Sequence, residues 1–208
     1  MAKELERKYL GVSREELRPV LESLGAEPQG GAHFESNTVY DSEQGELAAG
    51  RRLLRLRTRE WPGRSDARLT YKAPLPDVAV AGRMAKRREE TEIGVSSAQD
   101  AEKILICLGY RPVAFYEKVR ESWLLEGAHV DMDELPFMDV VEIEGSEAQI
   151  ARLEKLLGLD KKPSSAKSYY GLYTDWLAER GRAPETSLAF SAERKASLRK
   201  ALGLEPQA

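Results

Sequence analysis

The sequence predicts an α+β protein in which antiparallel strands close into a barrel and helices pack outside it. Three observations carry this expectation. Strand-like segments alternate charged with apolar residues, their polar faces carry full charges of both signs, and serine-capped helical segments follow the acidic strands. In a strand every second side chain shares a face, so Glu4, Glu6 and Lys8 fall together while Leu5 points the other way. A single such strand reads equally well as a charged sheet edge that resists pairing with other chains. Recurrence of the pattern changes that reading.

The elements follow in order. Ser13 and Glu16 form a capping box for a helix that runs to Leu24-Gly25, with Pro19 as an expected kink. A short strand is expected over 37–41. Leu54 to Thr58 alternates strictly, with Arg55 and Arg57 on one face, and the turn at 61–65 sends 68–72 back antiparallel, with Thr70 and Lys72 sharing a face. Residues 74–82 read as a flexible loop and 87–95 as a strand. Taking Ile93 and Val95 to face an apolar layer turns Arg88, Glu90 and Glu92 inward, although Lys86-Arg87-Arg88-Glu89-Glu90 permits a slip that would reverse the faces. Ser96 or Ser97 caps a second helix ending at Leu108-Gly109. Lys118 and Arg120 then share one face, as do Asp131 and Asp133, and Glu142 and Glu144. Ser146 and Gln149 cap a third helix, Ser164 and Ser165 begin a last strong one, and 182–208 is an appendage with one short helix near 192–201. Glu4-x-Glu6, Glu90-x-Glu92 and Glu142-x-Glu144 each precede a serine-capped helix closing on Leu-Gly, a weak internal repeat.

Composition excludes several functions. Charged residues make up 32% of the chain, yet the net charge is only −3, so no global basic field points to nucleic acid. No apolar run approaches the roughly 18 residues of a membrane helix, and acids by Glu4 leave no room for a signal-peptide core, so a cytoplasmic protein is expected. Cys107 is the one cysteine, expected to be a buried small hydrophobe, and two histidines are too few for an imidazole zinc site. Any bound metal must therefore be held by oxygen.

Closing the sheet turns the charged faces into one lumen. Such a lumen must hold water and ions, because an unpaired charge removed from water costs several kcal/mol. Its complementary ligand is a polyanion with cations: arginine forks and lysines meet phosphate oxygens, while carboxylates suit Mg²⁺ or Mn²⁺.

In this arrangement the residues resemble the CYTH domain family, also called triphosphate tunnel metalloenzymes. Glu4-x-Glu6-x-Lys8 is similar to the family's first strand, Leu54-Arg55-Leu56-Arg57 to its arginine strand and Leu69-Thr70-Tyr71-Lys72 to the lysine strand that follows. Lys118-x-Arg120, Met132-Asp133, Val141-Glu142-Ile143-Glu144 and Ser168-Tyr169 continue the likeness, which covers residues 1–180 and leaves the tail outside. The resemblance implies an eight-stranded antiparallel tunnel over 1–181, with 182–208 as the appendage. It also implies Mg²⁺ or Mn²⁺ dependence and a small-molecule triphosphate as substrate. By it, Glu4, Glu6, Glu142 and Glu144 are metal ligands with Asp133 assisting. Lys8, Arg55, Arg57, Lys72, Lys118 and Arg120 bind phosphate, and strand parity adds Arg88. Glu90 or Glu92 is the candidate to position water, and with Lys8 on the phosphoryl group these three are the catalytic candidates.

The expected activity is a metal-dependent triphosphatase acting on inorganic triphosphate, thiamine triphosphate or a nucleoside triphosphate. A class IV adenylyl cyclase making cyclic AMP and pyrophosphate is the alternative within the family. A non-catalytic polyphosphate or nucleotide binder, and a purely structural ion-pair network, are alternatives of other kinds. No nucleic acid or membrane partner is expected, and a homodimer is left open.

Overall fold

Strict alternation gives each strand one charged and one apolar face, and the chain resolves this by curling the sheet until the charged faces meet. The structure is a computed structural model and describes residues 2–204. The chain runs through β1 (Ala2–Leu10), α1 (Arg14–Ser23), β2 (Glu27–Pro28), β3 (His33–Asp41), α2 (Glu46–Ala49), β4 (Leu53–Trp61) and β5 (Arg64–Pro74). It continues through β6 (Val78–Val80), β7 (Arg83–Val95), α3 (Ala98–Cys107), β8 (Arg111–Leu125), β9 (Ala128–Glu134), β10 (Asp139–Glu144) and α4 (Glu147–Leu156). Last come β11 (Ser164–Ser165), α5 (Tyr169–Ala178), β12 (Ser187–Leu188) and α6 (Ala192–Ala201). Eight strands pair antiparallel in the order β1-β10-β9-β8-β3-β4-β5-β7, and β7 returns to β1 with Glu4 opposite Arg88 and Glu6 opposite Lys86. The barrel is closed.

The apolar outer face is covered by the helices. Tyr9, Val130, Met132, Val141 and Ile143 pack with Leu17 and Leu21 of α1 and with Ile150 and Leu153 of α4. Burying one such leucine or isoleucine contributes about 1.5–3 kcal/mol. Leu54 and Leu56 pack with Ala101 and Leu105 of α3, whereas Tyr116 and Val140 lie on the lumen face at one end of the barrel and pack with Leu172 and Leu177 of α5 there. Both expected capping boxes form, at Ser13 with Glu16 and at Ser146 with Gln149, and Pro19 sits inside α1 without ending it. The repeat is structural too: Ser13, Ser97 and Ser146 cap helices that close at Leu24-Gly25, Leu108-Gly109 and Leu157-Gly158. Each closing glycine takes a positive φ, which a Cβ would disfavour.

Several expectations are corrected. β3 begins at His33 rather than Asn37. The segment expected to be a flexible loop contains β6, joined to β7 by Ala81 and Gly82, both at positive φ as a two-residue hairpin turn requires. Arg7, on the outer face and fully buried, holds this hairpin. It donates to the carbonyls of Val80 at 2.5 Å and Arg83 at 2.6 Å, and to Glu154 of α4 at 2.6 Å. Ser164 and Ser165 do not start the last helix; they pair with β1 as β11, and Ser168 caps α5. Cys107 is exposed, not buried, because it lies on the side of α3 opposite Ala101 and Leu105.

The segment after Arg182 lies against the barrel. β12 pairs in parallel with Phe115 and Tyr116 of β8, and Phe190 and Leu198 join Phe34 and Val119 in a small core. Lys195 pairs with Glu117 at 2.6 Å and Arg199 with Glu60 at 2.9 Å. Residue 1 and the end of the tail, 205–208, lie outside the described residues. Among the described residues no helix is long and apolar enough to cross a membrane.

Candidate active site

Because paired residues in an antiparallel ladder point to the same side, the registers fix which side chains share the lumen. Two adjoining cavities occupy it, of about 380 and 320 Å³. Glu4, Arg57, Lys72, Arg120 and Glu144 line both and form the waist between them. The first cavity adds Lys8, Arg55, Lys86 and Lys118 with Glu6 and Glu142, so seven bases face four carboxylates. The second adds Glu35, Glu90, Glu92 and Asp131 with Arg59, so six carboxylates face four bases, alongside His33 and His129. The tunnel therefore has a basic end and an acidic end. At the rim of the basic end the lining turns apolar, with Val39, Leu53, Val113 and Ala114 beside Tyr116.

Ion pairs order the charges. Lys8 bridges Glu6 at 2.5 Å and Glu142 at 2.7 Å, and Lys72 bridges Glu4 at 2.6 Å and Glu90 at 3.0 Å. Arg120 reaches Asp131 and Asp133, each at 2.5 Å, and Glu142 at 2.6 Å. Lys118 meets Asp133 at 3.1 Å and Glu35 at 3.5 Å, and Arg57 donates to Asn37 at 3.1 Å. Glu92 accepts from Thr70 at 2.8 Å and from Arg68 at 3.3 Å.

Placement of the expected site residues is uneven. Glu4, Glu6, Glu142, Glu144, Lys8, Arg55, Arg57, Lys72, Lys118, Arg120, Glu90 and Glu92 all line the cavities. Asp133 lines neither cavity. Its oxygens are taken by Lys118, Arg120 and the Tyr169 hydroxyl. Arg88 starts on the lumen side opposite Glu4, but its guanidinium turns to Asp77 at 3.4 Å and to the Arg87 carbonyl at 2.7 Å. Ile93 does not face an apolar layer, being 55% exposed, yet the strand parity drawn from it agrees with the lumen positions of Glu90 and Glu92. Glu35, Lys86 and Asn37 were missed. His33, Glu35 and Asn37 alternate along β3, and that period-two polar pattern was the available signal.

The carboxylates divide by ionisation. Burial pushes Glu144 up to about 8, with Glu4 and Asp131 adding repulsion. Glu4 rises to about 7 through burial and the neighbouring Glu6, which Lys72 only partly offsets. For Glu6, burial opposes ionisation, but the Lys8 and Lys86 ammoniums outweigh it and hold the carboxyl low. Lys86 is itself lowered to about 8 by burial and by Lys8. Among the described residues no three carboxylates converge into a ready-made coordination shell. The donor set nevertheless fits a hard divalent cation. It is all oxygen, and a bound cation would supply the positive charge that Glu4 and Glu144 need to ionise in this buried setting.

A pH dependence follows. With Glu4 and Glu144 raised from 4.5 to about 7 and about 8, the folded chain binds more protons than the unfolded one across that interval. This stabilisation is complete below pH 4.5 and lost as pH rises through the folded values. The thermal midpoint of metal-free protein is expected to carry a falling component between pH 4.5 and about 8 that Glu144→Gln flattens. An identical slope in the variant would contradict the assignment.

The family comparison agrees with this geometry. The profile of the CYTH domain matches residues 2–168, and the chain belongs to that family. Relatives in it are triphosphatases or adenylyl cyclases, and its members depend on divalent metal. Among solved structures, the PH1819 protein of Pyrococcus horikoshii is 23% identical with a TM-score of 0.67, covering 83% of this chain and 99% of its own. A proposed adenylate cyclase from Vibrio parahaemolyticus is 20% identical with a TM-score of 0.67, covering 82% and 97%. A Hippeastrum protein, described as a proposed adenylyl cyclase with a dominant triphosphatase activity, is 16% identical with a TM-score of 0.58, covering 86% and 97%. No curated protein matches the chain by sequence.

Proposed function

We propose that the chain is a divalent-metal-dependent triphosphatase whose substrate lies in the basic cavity with its terminal phosphate towards the acidic one. The observation that carries this reading is the order along the tunnel: apolar rim, basic cavity, waist with Glu4 and Glu144, acidic cavity. Two buried donors without partners support an anion here, Arg55 Nε and Asn37 Nδ2, since unsatisfied buried polar groups are rare and costly.

Lys8, Arg55, Arg57, Lys72, Lys118 and Arg120 bind the phosphates, with arginine forks fixing oxygens in pairs. Asp133 serves as a positioning residue, since it aligns Lys118 and Arg120 and is itself held by Tyr169. Glu4, Glu6, Glu142 and Glu144 would hold Mg²⁺ or Mn²⁺, which supplies charge neutralisation for the phosphoryl group. Glu90 and Glu92 lie beyond the waist, on the side from which water reaches a terminal phosphorus opposite its leaving oxygen. Cyclisation would instead need the attacking hydroxyl and the first phosphate together at the rim, far from these carboxylates. The dominant triphosphatase activity described for the Hippeastrum protein points the same way.

Incubation with Mg²⁺ or Mn²⁺ and a panel of inorganic, thiamine and nucleoside triphosphates tests the reading. Orthophosphate release that stops with chelator is expected. Cyclic AMP with pyrophosphate from ATP would establish the cyclase, and metal-strengthened binding without turnover would make the chain a binder.

A further inference from the structure

Glu35 lies in the lumen wall at a place where a carboxylate works against phosphate binding. It sits on β3 opposite Lys118 of β8 and within 3.5 Å of Arg57 of β4, two of the residues that bind phosphate in the reading above. It is also fully buried. One of its oxygens is satisfied: Oε1 accepts from His33 Nε2 at 3.0 Å and from Arg57 at 3.5 Å. The other is not. Oε2 lies 3.5 Å from Lys118 Nζ without forming a hydrogen bond, and among the described residues it is the only buried side-chain oxygen left without one. Buried polar atoms of this kind are rare in folded proteins, and each calls for a reason.

The sign of the unpaired atom selects its partner. Phosphate oxygens match the spare donors at Arg55 Nε and Asn37 Nδ2, whereas Glu35 Oε2 repels them, since an ionised carboxylate only accepts. Its partner must bring a hydrogen or a positive charge and must fit at the wall of the acidic cavity, which Glu35 and His33 line. The two carboxylates expected to position water there are already engaged, Glu90 with Lys72 at 3.0 Å and Glu92 with Thr70 at 2.8 Å. The aim of Oε2 is fixed from behind. His33 is buried and stacks on Trp61 with ring centroids 4.4 Å apart, and Trp61 carries the Arg64 guanidinium 4.3 Å from its own centroid. Burial opposes ionisation of Glu35, but Lys118, His33 and Arg120 outweigh it and hold the carboxyl well below the usual range, so it remains an acceptor.

We infer that Glu35 Oε2 receives a hydrogen bond from the water that attacks the terminal phosphorus, and that His33 is the residue positioning this carboxylate. The inference rests on the triphosphatase reading and narrows it to a named acceptor. As the water oxygen bonds to phosphorus, the bridging P–O bond breaks and its electron pair leaves on the diphosphate. Both water hydrogens stay with the orthophosphate, one on the new oxygen and one passed to a neighbouring phosphoryl oxygen. A loose displacement of this kind asks for an oriented water more than for a strong base, which suits a carboxylate that holds no proton itself.

Steady-state kinetics of Glu35→Gln, with whichever triphosphate the substrate panel selects, test it. The His33 N–H holds the amide oxygen, which turns the amide NH2 into the place of Oε2 and reverses the hydrogen bond to water. The expected kcat is lower by about 10²-fold or more, the scale of losing an acceptor for the water's hydrogen. KM is expected to stay level or fall, because a charge that repels phosphate is gone. Mn²⁺ affinity, followed by electron paramagnetic resonance, is expected to be unchanged. In His33→Phe, which keeps a ring against Trp61 but donates nothing, kcat is expected to drop about tenfold at the same KM. Circular dichroism checks folding, and either folded variant decides. A retained kcat, or a raised KM with kcat retained, would make Glu35 a structural partner of Lys118 and Arg57, and weakened Mn²⁺ binding would make it a metal ligand. Each of these overturns the inference and leaves the triphosphatase reading intact. A wild type that binds triphosphate without turnover overturns both.

Discussion

Arg55→Ala is expected to lower kcat/KM for triphosphate hydrolysis by about 10²- to 10³-fold, the usual cost of removing one preorganised donor from a developing phosphoryl charge. Among the described residues its guanidinium forms no ion pair within 4.0 Å of a carboxylate. It donates only to Tyr116 at 2.9 Å and to Thr70 at 3.4 Å, leaving Nε without a partner. A buried guanidinium with no carboxylate in direct contact and one N–H unpaired is suited to an anionic ligand. The thermal midpoint of Arg55→Ala should therefore stay level or rise, and Arg55→Lys should recover only part of the activity, because an ammonium lacks the planar fork. A variant that loses stability while retaining its affinity for triphosphate would make Arg55 part of a structural network.

Arg7→Ala should have the largest effect on stability, about 3–5 kcal/mol, the scale for breaking a buried ion pair by removing one partner. Arg7 is fully buried and joins Glu154 of α4 to three carbonyls of the β6–β7 hairpin, at Val80, Arg83 and Met84. Its removal leaves Glu154 with the Tyr9 hydroxyl at 2.9 Å and with Arg83 at 3.6 Å. Urea unfolding measures the change, and a loss below about 1 kcal/mol would mean that the hairpin does not depend on this anchor.

The same two arginines show what the sequence could and could not reveal. Arg55 was legible because Leu54-Arg55-Leu56-Arg57 alternates without interruption, so its face follows from the strand period alone. Arg7 was not, because alternation puts it among Leu5 and Tyr9 on the apolar face, and only the tertiary fold brings Glu154 and the hairpin carbonyls to it. Glu35 was hidden for a related reason: Ser36 breaks the apolar face of β3, which obscured a strand start four residues earlier than expected. The helix caps were readable because they are local, whereas the β6–β7 turn uses Ala81 at positive φ, a position that sequence does not mark. Arg88 shows the limit of parity. Its backbone faces the lumen, but Asp77, eleven residues away, claims its guanidinium.

The central claim is that water attacks the terminal phosphorus of a triphosphate held in the tunnel. Hydrolysis of whichever triphosphate the substrate panel selects, run in heavy-oxygen water and followed by phosphorus NMR, tests it most directly. The expected result is label in orthophosphate alone, with an unlabelled diphosphate as the other product and no reaction in chelator. Label in pyrophosphate or in an organic monophosphate, or unlabelled pyrophosphate accompanying a cyclic nucleotide, would contradict it.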